Sequence, residues 1–185
     1  MPDLTAATDL RTLPDDRYFS LMSFCVFSAG LKHSMGEAKW PDFEDVFFAF
    51  DPPAVRAIRG EDLEALMNER RIIRHLGKIK ATRANAAALC EIKDEYGGFG
   101  NWLADWPVDD PVGLWDAIAK RFNQRGGMSG PYFLRMVGKD TFVLTKDVVK
   151  ALNAFGVHDG DPKGKRARRR SSTPSTRGPQ TRANP

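Results

Sequence analysis

Apolar residues recur along most of the chain at three- and four-residue spacing, which is typical of helices that bury one face. The segment from Tyr18 to Leu31 differs, because its apolar residues occupy almost every face of a helix. A helix of this kind lies at the centre of a core. Pro14, followed by Asp15 and Asp16, is the start signal ahead of it.

Amphipathic helices are predicted to follow the central one. Pro41 suits the first turn of a helix that continues through Phe50 and is ended by Pro52 and Pro53. No run alternates as a half-buried strand would, so the predicted fold class is all-α. One further helix is predicted to begin at Gly60. Another follows the turn around Gly77 and carries Ile79, Ala86, Leu89 and Ile92 inward. The last three cover 111–122, start near Pro131 after the glycine-rich turn, and cover Lys146–Ala154.

The positive charge of the chain is concentrated in its last residues. The formal net charge is +4, yet from Gly160 onward eight basic residues accompany a single acid, Asp161, so this tail carries +7 and the body −3. The tail is poor in apolar residues and rich in Pro, Ser, Thr and Arg, which predicts disorder. A basic arm of this kind either adds salt-sensitive affinity for DNA or serves as a solubilising extension. Any nucleic-acid surface on the body must be a local patch.

The sequence also limits the setting of the protein. No apolar run reaches the length of about 18 residues that a membrane span needs, and the N-terminus lacks the basic and apolar regions of a signal peptide. We therefore expect a cytoplasmic protein, associated at most with a bacterial nucleoid. Cys25 and Cys90 lie in apolar helical patterns and are expected to be buried free thiols.

Three blocks of the chain resemble the 3-methyladenine DNA glycosylase I family of the helix-hairpin-helix DNA glycosylase superfamily. Residues 50–89 contain the string IIRHLGKI, and residues 27–35, FSAGLKHSM, resemble the family's Q-A-G-L-S-W segment. Residues 126–152 are similar to the hairpin-plus-aspartate segment of the wider superfamily. The resemblance implies a glycosylase-like helical bundle over 14–158. Residues 1–13 show little periodicity and are expected to form a loose lead-in, and the composition of 159–185 predicts the disordered basic tail.

The chain departs from the family at three pocket positions. The base-recognising glutamate of the family corresponds to Cys25, its glutamine to Ser28 and its stacking tryptophan to His33. With Phe27 and Trp40, these residues are the candidates for a base pocket, although a lone histidine such as His33 is often only structural. No cysteine precedes Cys25 or follows Cys90, so we expect no zinc and no other metal.

The resemblance implies that the protein acts on DNA. A glycosylase takes the damaged base out of the stack before it acts. The glycine-rich turn and the helix after it can hold a phosphate on free backbone N–H groups, although an ordinary helix–helix turn has the same composition. The candidate DNA-binding residues are Arg125, Gly127, Ser129, Gly130 and Lys146.

Asp147 is the candidate catalytic residue. In the wider superfamily, an aspartate at the start of the helix after the hairpin stabilises the positively charged sugar or orients water, and the string TKDVVKAL places Asp147 comparably. An aspartate in a first helical turn is equally good capping chemistry, which leaves both roles open.

The implied activity is hydrolysis of the N-glycosidic bond of an alkylated purine such as 3-methyladenine in base-excision repair. The resemblance implies a monofunctional, monomeric enzyme that needs no cofactor and binds damaged DNA with the base flipped out. One alternative is a catalytically degenerate DNA-binding protein of the same fold. Another is a hydrolase that acts on a different lesion or on a free nucleoside.

Overall fold

The computed structural model describes residues 9–29, 33–124 and 129–156, and gives only the backbone of 33–35. Among these residues there is no strand, and the all-α prediction is confirmed. The described chain divides into one compact unit that ends at Thr141 and a second that begins at Phe142. The helices are α1 (Asp15–Ser28), α2 (His33–Val46), α3 (Pro52–Ala57), α4 (Gly60–Ala65), α5 (Leu76–Tyr96), α6 (Phe99–Asp105), α7 (Pro111–Arg121), α8 (Ser129–Met136) and α9 (Lys146–Ala154), with 3₁₀ turns at Leu10–Thr12, Phe48–Phe50 and Leu66–Asn68.

Helix α1 is the central helix of the first unit, as its sequence predicts. It is buried from Tyr18 to Phe24 and packs against α2, α5, α6 and α8. The helix begins where the start signal predicts, but no side chain caps it. Pro14 is the N-cap of α1, and the Asp15 carboxylate accepts a hydrogen bond from the backbone N–H of Phe99, 2.8 Å away, at the start of α6. One acidic residue therefore joins the beginnings of two helices.

Helix α2 contradicts the reading of Pro41 as a first-turn residue. The helix begins at His33, so Pro41 lies inside it, and it ends at Val46 rather than continuing through Phe50. Proline lacks an N–H and removes one backbone hydrogen bond from the helix interior. The buried Trp40 and Phe43, on either side of the proline, show that packing against α1 compensates for this loss.

A left-handed turn follows α2. Phe48, Ala49 and Phe50 have φ values of 53°, 52° and 57°, a conformation that non-glycine residues seldom adopt consecutively. The Arg17 guanidinium donates a hydrogen bond to the Ala49 carbonyl oxygen at 2.8 Å, and the same group pairs with Glu44 on α2. The turn reverses the chain ahead of α3, where the Asp51 carboxylate accepts from the N–H of Ala54.

An aromatic cluster fills the space between α1, α2 and the left-handed turn. Trp40 lies parallel to Phe50 at 5.1 Å between ring centroids and nearly parallel to Phe43 at 5.0 Å. Phe24 meets Trp40 edge-on at 5.1 Å. Because large aromatic rings bury much apolar surface and gain from such geometries, this cluster is a major source of stability for the first unit.

The end of the predicted loose lead-in is ordered in the structure. Leu10–Thr12 forms a 3₁₀ turn that packs against α6, and the Tyr18 hydroxyl donates a hydrogen bond of 2.6 Å to the Leu10 carbonyl oxygen. Gly100 allows this approach, because a Cβ there would collide with the same carbonyl oxygen. These contacts involve the backbone carbonyl group of Leu10, so they leave no apolar periodicity in the sequence of the lead-in.

Helix α5 agrees closely with its pattern. It begins one residue before Gly77, and its predicted inward residues Ile79, Ala86, Leu89 and Ile92 are all buried. No helix within the described ranges is long and apolar enough to cross a membrane.

Candidate functional site

The candidate site is built around the C-terminal end of α1, where three of the predicted pocket residues lie within one turn. Cys25 is partly exposed, and its thiol lies 3.7 Å from the Met136 sulfur on α8. Phe27 is 1% exposed, with its ring centroid 4.5 Å from that of Phe43. Both cysteines are free thiols. Cys90 is buried on α5 as predicted, whereas the prediction of burial is wrong for Cys25, which is only partly buried.

Ser28, at the end of α1, lies close to Gly36 on α2. A Cβ on Gly36 would be 2.5 Å from the Ser28 hydroxyl oxygen and 3.3 Å from the Phe24 ring. The Ser28 hydroxyl oxygen is buried and has no hydrogen-bond partner in the part of the chain that the structure describes, and the same holds for Ser23. A buried hydroxyl without a hydrogen-bond partner lowers the free energy of unfolding, so native proteins contain few such groups.

Trp40 belongs to the aromatic cluster, where it is 3% exposed. Its indole N–H donates a hydrogen bond of 3.0 Å to the Ser20 hydroxyl oxygen, which in turn donates to the Glu44 carboxylate. This network ties α2 to α1 from within the core. A contact of Trp40 or Phe27 with a base remains a prediction. His33 is the first residue of α2, and its side chain lies outside the described residues.

The IIRHLGKI string supplies two residues that fix the end of α1. His75 is the N-cap of α5, with its Nδ1 accepting a hydrogen bond of 3.2 Å from the N–H of Lys78. The Lys78 ammonium donates to the carbonyl oxygens of Phe27 and Ala29, at 3.1 and 3.0 Å. Burial lowers the pKa of this ammonium below its ordinary value. Nothing local in the sequence signals this contact, because Lys78 and Phe27 lie 51 positions apart.

The candidate phosphate-binding residues are only partly described. Arg125 and Gly127 lie outside the described residues. Ser129 and Gly130 are the first two residues of α8, with Gly130 buried, so the helix begins slightly earlier than the predicted start near Pro131. Their contact with DNA remains a prediction.

Asp147 and Lys146 open α9 in the second unit, and both are exposed. The N-cap of this helix is Thr145, whose hydroxyl accepts a hydrogen bond of 3.2 Å from the N–H of Val148. The capping role that competes with catalysis is therefore held by a neighbouring residue. The Asp147 carboxylate lies in the first turn of α9, near the positive end of the helix dipole.

The described residues also form a polar cleft at the other end of α1. It has a volume of about 360 Å³, and none of the predicted site residues line it. Arg11, which lines it, is paired with Asp105, and Asp51 is committed to its capping bond. Nowhere in the described ranges do His, Cys, Asp or Glu side chains group so as to hold a metal ion.

The described helices of the first unit pack around a central apolar helix, and this all-α fold is that of solved 3-methyladenine DNA glycosylase I structures. The model of the methyladenine glycosylase family matches residues 10–124, which cover α1 through α7. The chain belongs to the methyladenine glycosylase family. The match ends before α8 and α9, so it does not include Asp147.

Individual relatives agree with this assignment. Over 65 residues the chain is 38% identical to DNA-3-methyladenine glycosylase 1 of Escherichia coli (strain K12), a match that spans 35% of this chain and 35% of that relative. A variant of 3-methyladenine DNA glycosylase I solved with 3-methyladenine superposes with a TM-score of 0.61 at 20% identity, covering 72% of this chain and 84% of its own. A mutant of the Staphylococcus aureus enzyme gives a TM-score of 0.62 at 20% identity, with 72% and 82% covered. At these identities the superpositions establish the fold.

Proposed function

We propose that the protein is a monofunctional DNA glycosylase that hydrolyses the N-glycosidic bond of an alkylated purine such as 3-methyladenine in base-excision repair. The observation that carries this proposal is the family match over 10–124, which includes the whole helix that bears Cys25, Phe27 and Ser28. The relatives named above are glycosylases for 3-methyladenine.

Hydrolysis of this bond requires the protein to position the damaged nucleotide and to stabilise the positive charge that develops on its sugar. A 3-methylated adenine in DNA carries a positive charge, so it leaves the sugar as a neutral purine with the electron pair of the C1′–N bond. Water adds to C1′ and loses one proton, which leaves an abasic site in the DNA. A carboxylate close to the sugar stabilises the positive charge that develops there. This step needs no cofactor.

In this proposal Asp147 supplies the carboxylate and takes the proton from water. Two features of α9 favour that role: the carboxylate is exposed, and the capping bond of the helix is made by Thr145. The protein acts as a monomer on damaged DNA whose base is flipped out. Arg125, Gly127, Ser129, Gly130 and Lys146 hold the backbone, and Cys25, Phe27, Ser28, His33 and Trp40 surround the base.

The test is release of 3-methyladenine from a methylated DNA duplex, measured under single-turnover conditions by chromatography. Asp147→Asn removes the negative charge at constant shape and should lower the rate by about 100-fold or more, which is the usual contribution of a positioned acid or base. Binding to the duplex should persist. Asp109→Asn, at another exposed carboxylate, is the matched control and should keep the wild-type rate.

Each contrary outcome has a distinct meaning. A wild-type rate for Asp147→Asn would remove Asp147 from the mechanism and leave the activity in place. DNA binding without base release by the wild type would identify the degenerate DNA-binding protein. Release from free nucleosides alone would identify a nucleoside hydrolase. Borohydride trapping of a covalent DNA adduct would show lyase chemistry and overturn the monofunctional assignment.

A further inference from the structure

A single ammonium group joins the end of α1 to the beginning of α5. The last carbonyl groups of a helix have no partner within the helix and must be satisfied from outside. At the end of α1 the Lys78 ammonium meets this need, donating to the carbonyl oxygens of Phe27 at 3.1 Å and Ala29 at 3.0 Å. These two residues flank Ser28, and Cys25 lies one turn earlier.

The location of Lys78 is unfavourable apart from these contacts. It is the third residue of α5, near the positive end of a helix dipole, where a cation is disfavoured. The side chain is only partly exposed, and burial lowers the pKa of its ammonium. No carboxylate pairs with it within the described ranges of the chain. The negative end of the α1 dipole is therefore what offsets the cost of placing a charge here.

The turn before Lys78 is built to hold it in place. The His75 imidazole accepts from the backbone N–H of Lys78, so the side chain that caps α5 also fixes the residue that caps α1. A Cβ on Gly77 would lie 3.2 Å from the His75 ring, tighter than an ordinary contact. The glycine thus lets the ring fold back over the turn.

We propose that Lys78 is a positioning residue that fixes the end of α1, and with it Cys25 and Ser28, for binding of the base. Lys78 does not touch the base; it acts through the backbone of residues 27–29. Its effect on base binding rests on the proposed glycosylase function, whereas its effect on the end of α1 does not. The two effects can therefore be measured separately.

The first measurement is the rate at which a small alkylating reagent labels Cys25 in the full chain, with each cysteine followed by mass spectrometry. Lys78→Met removes both hydrogen bonds at similar side-chain length. It should raise the labelling rate of Cys25 by about tenfold, the factor that corresponds to losing about 1.4 kcal/mol, which is close to the lower end of the range for one charge-assisted hydrogen bond. Buried Cys90 is the internal reference and should not change. Lys80→Met is the matched control, because Lys80 lies in α5 like Lys78 and forms an exposed ion pair with Glu64 of α4.

The second measurement is the dependence of 3-methyladenine release on the concentration of methylated DNA. Lys78→Met should raise KM by about tenfold with a smaller change in kcat, and Lys78→Arg, which keeps a cationic donor, should restore most of the loss. A purely structural role would lower the melting temperature and the active fraction and leave KM unchanged. If Lys78→Met does not fold, Lys78→Gln, which keeps an amide donor, is measured in the same two ways.

The outcomes separate this proposal from the activity. Unchanged Cys25 labelling and unchanged KM in a folded Lys78 variant would overturn the positioning role. Faster Cys25 labelling in a protein whose wild type releases no base would uphold the positioning of α1 and reject the glycosylase function. Equal effects of Lys78→Met and Lys80→Met would also overturn the proposal, because they would show a general response to lost charge.

Discussion

The close approach of α1 and α2 at Ser28 leads to a prediction with an unusual sign. Replacing glycine by alanine inside a helix ordinarily stabilises a protein by about 1 kcal/mol. Gly36 is the fourth residue of α2, so Gly36→Ala should gain this amount if the space were free. The new Cβ would instead lie 2.5 Å from the Ser28 hydroxyl oxygen, and overpacking of this kind costs about 1–3 kcal/mol. The single variant should therefore range from unchanged to about 2 kcal/mol less stable.

Removing the obstructing oxygen should reverse the effect. Ser28→Ala deletes a buried hydroxyl that has no partner among the described residues, so alone it should be neutral or slightly stabilising. In that background Gly36→Ala should stabilise by up to about 1 kcal/mol, reduced by the remaining 3.3 Å approach to the Phe24 ring. The coupling between the two positions equals the cost of the clash, about 1–3 kcal/mol.

The assay is urea unfolding followed by far-UV circular dichroism for the wild type, both single variants and the double variant. Equal m values show that the compared states are the same, so the midpoints give the stability differences. Gly60→Ala is the matched control, because a Cβ there meets no atom within 4 Å. Coupling below about 0.3 kcal/mol, the usual error of additivity, would refute the contact between Gly36 and Ser28.

Two further predictions concern regions away from this contact. Burial, together with Asp15 and Asp9, raises the pKa of the Tyr18 phenol above its ordinary value of 10.0. Above about pH 10 the phenol therefore ionises in the unfolded protein but keeps its proton in the native one. The free energy of unfolding falls as the pH rises through this range. Tyr18→Phe should be about 1 kcal/mol less stable at neutral pH, because it loses the hydrogen bond to Leu10. In urea titrations above pH 10, the stability of this variant should fall less steeply than that of the wild type. Tyr132→Phe, at an exposed tyrosine, is the control and should follow the wild type. In the tail, replacing Arg168, Arg169 and Arg170 by Gln should make the dependence of log Kd on log salt shallower by about 2–3 for an undamaged duplex, measured by fluorescence anisotropy. An unchanged slope would show that the tail does not contact phosphates.

The sequence predicts those parts of the fold that local patterns encode. The all-round apolar pattern identifies α1 as the central helix, and the spacing of Ile79, Ala86, Leu89 and Ile92 identifies the buried face of α5. It fails where tertiary contacts outweigh a local rule. Pro41 lies inside α2 because packing around Trp40 compensates for the lost hydrogen bond.

The left-handed turn shows the same limit. Phe48, Ala49 and Phe50 carry no glycine signal, and the turn is held by a buried ring and by Arg17 from α1. A backbone conformation that depends on residues distant in sequence produces no pattern of apolar and polar positions from which it could be predicted.

Family resemblance identifies most of the candidate site, since composition alone does not mark Cys25 or Ser28 as special. The same resemblance singles out IIRHLGKI but does not say what its lysine does. The contacts of Lys78 with residues 27 and 29 require coordinates, because a lysine in a turn has the same local signature whether it meets solvent or a distant carbonyl group.

Helix α1 is held at both of its ends by a cation that reaches a carbonyl oxygen. Arg17 near its beginning binds the carbonyl of Ala49, and Lys78 near its end binds those of Phe27 and Ala29. A rod anchored in this way has little freedom to slide or tilt when a ligand arrives. Under the proposed function, base recognition at the end of α1 would work by lock and key: a base that fits would incur little cost of rearranging the protein, and one that does not fit could not induce a pocket of its own.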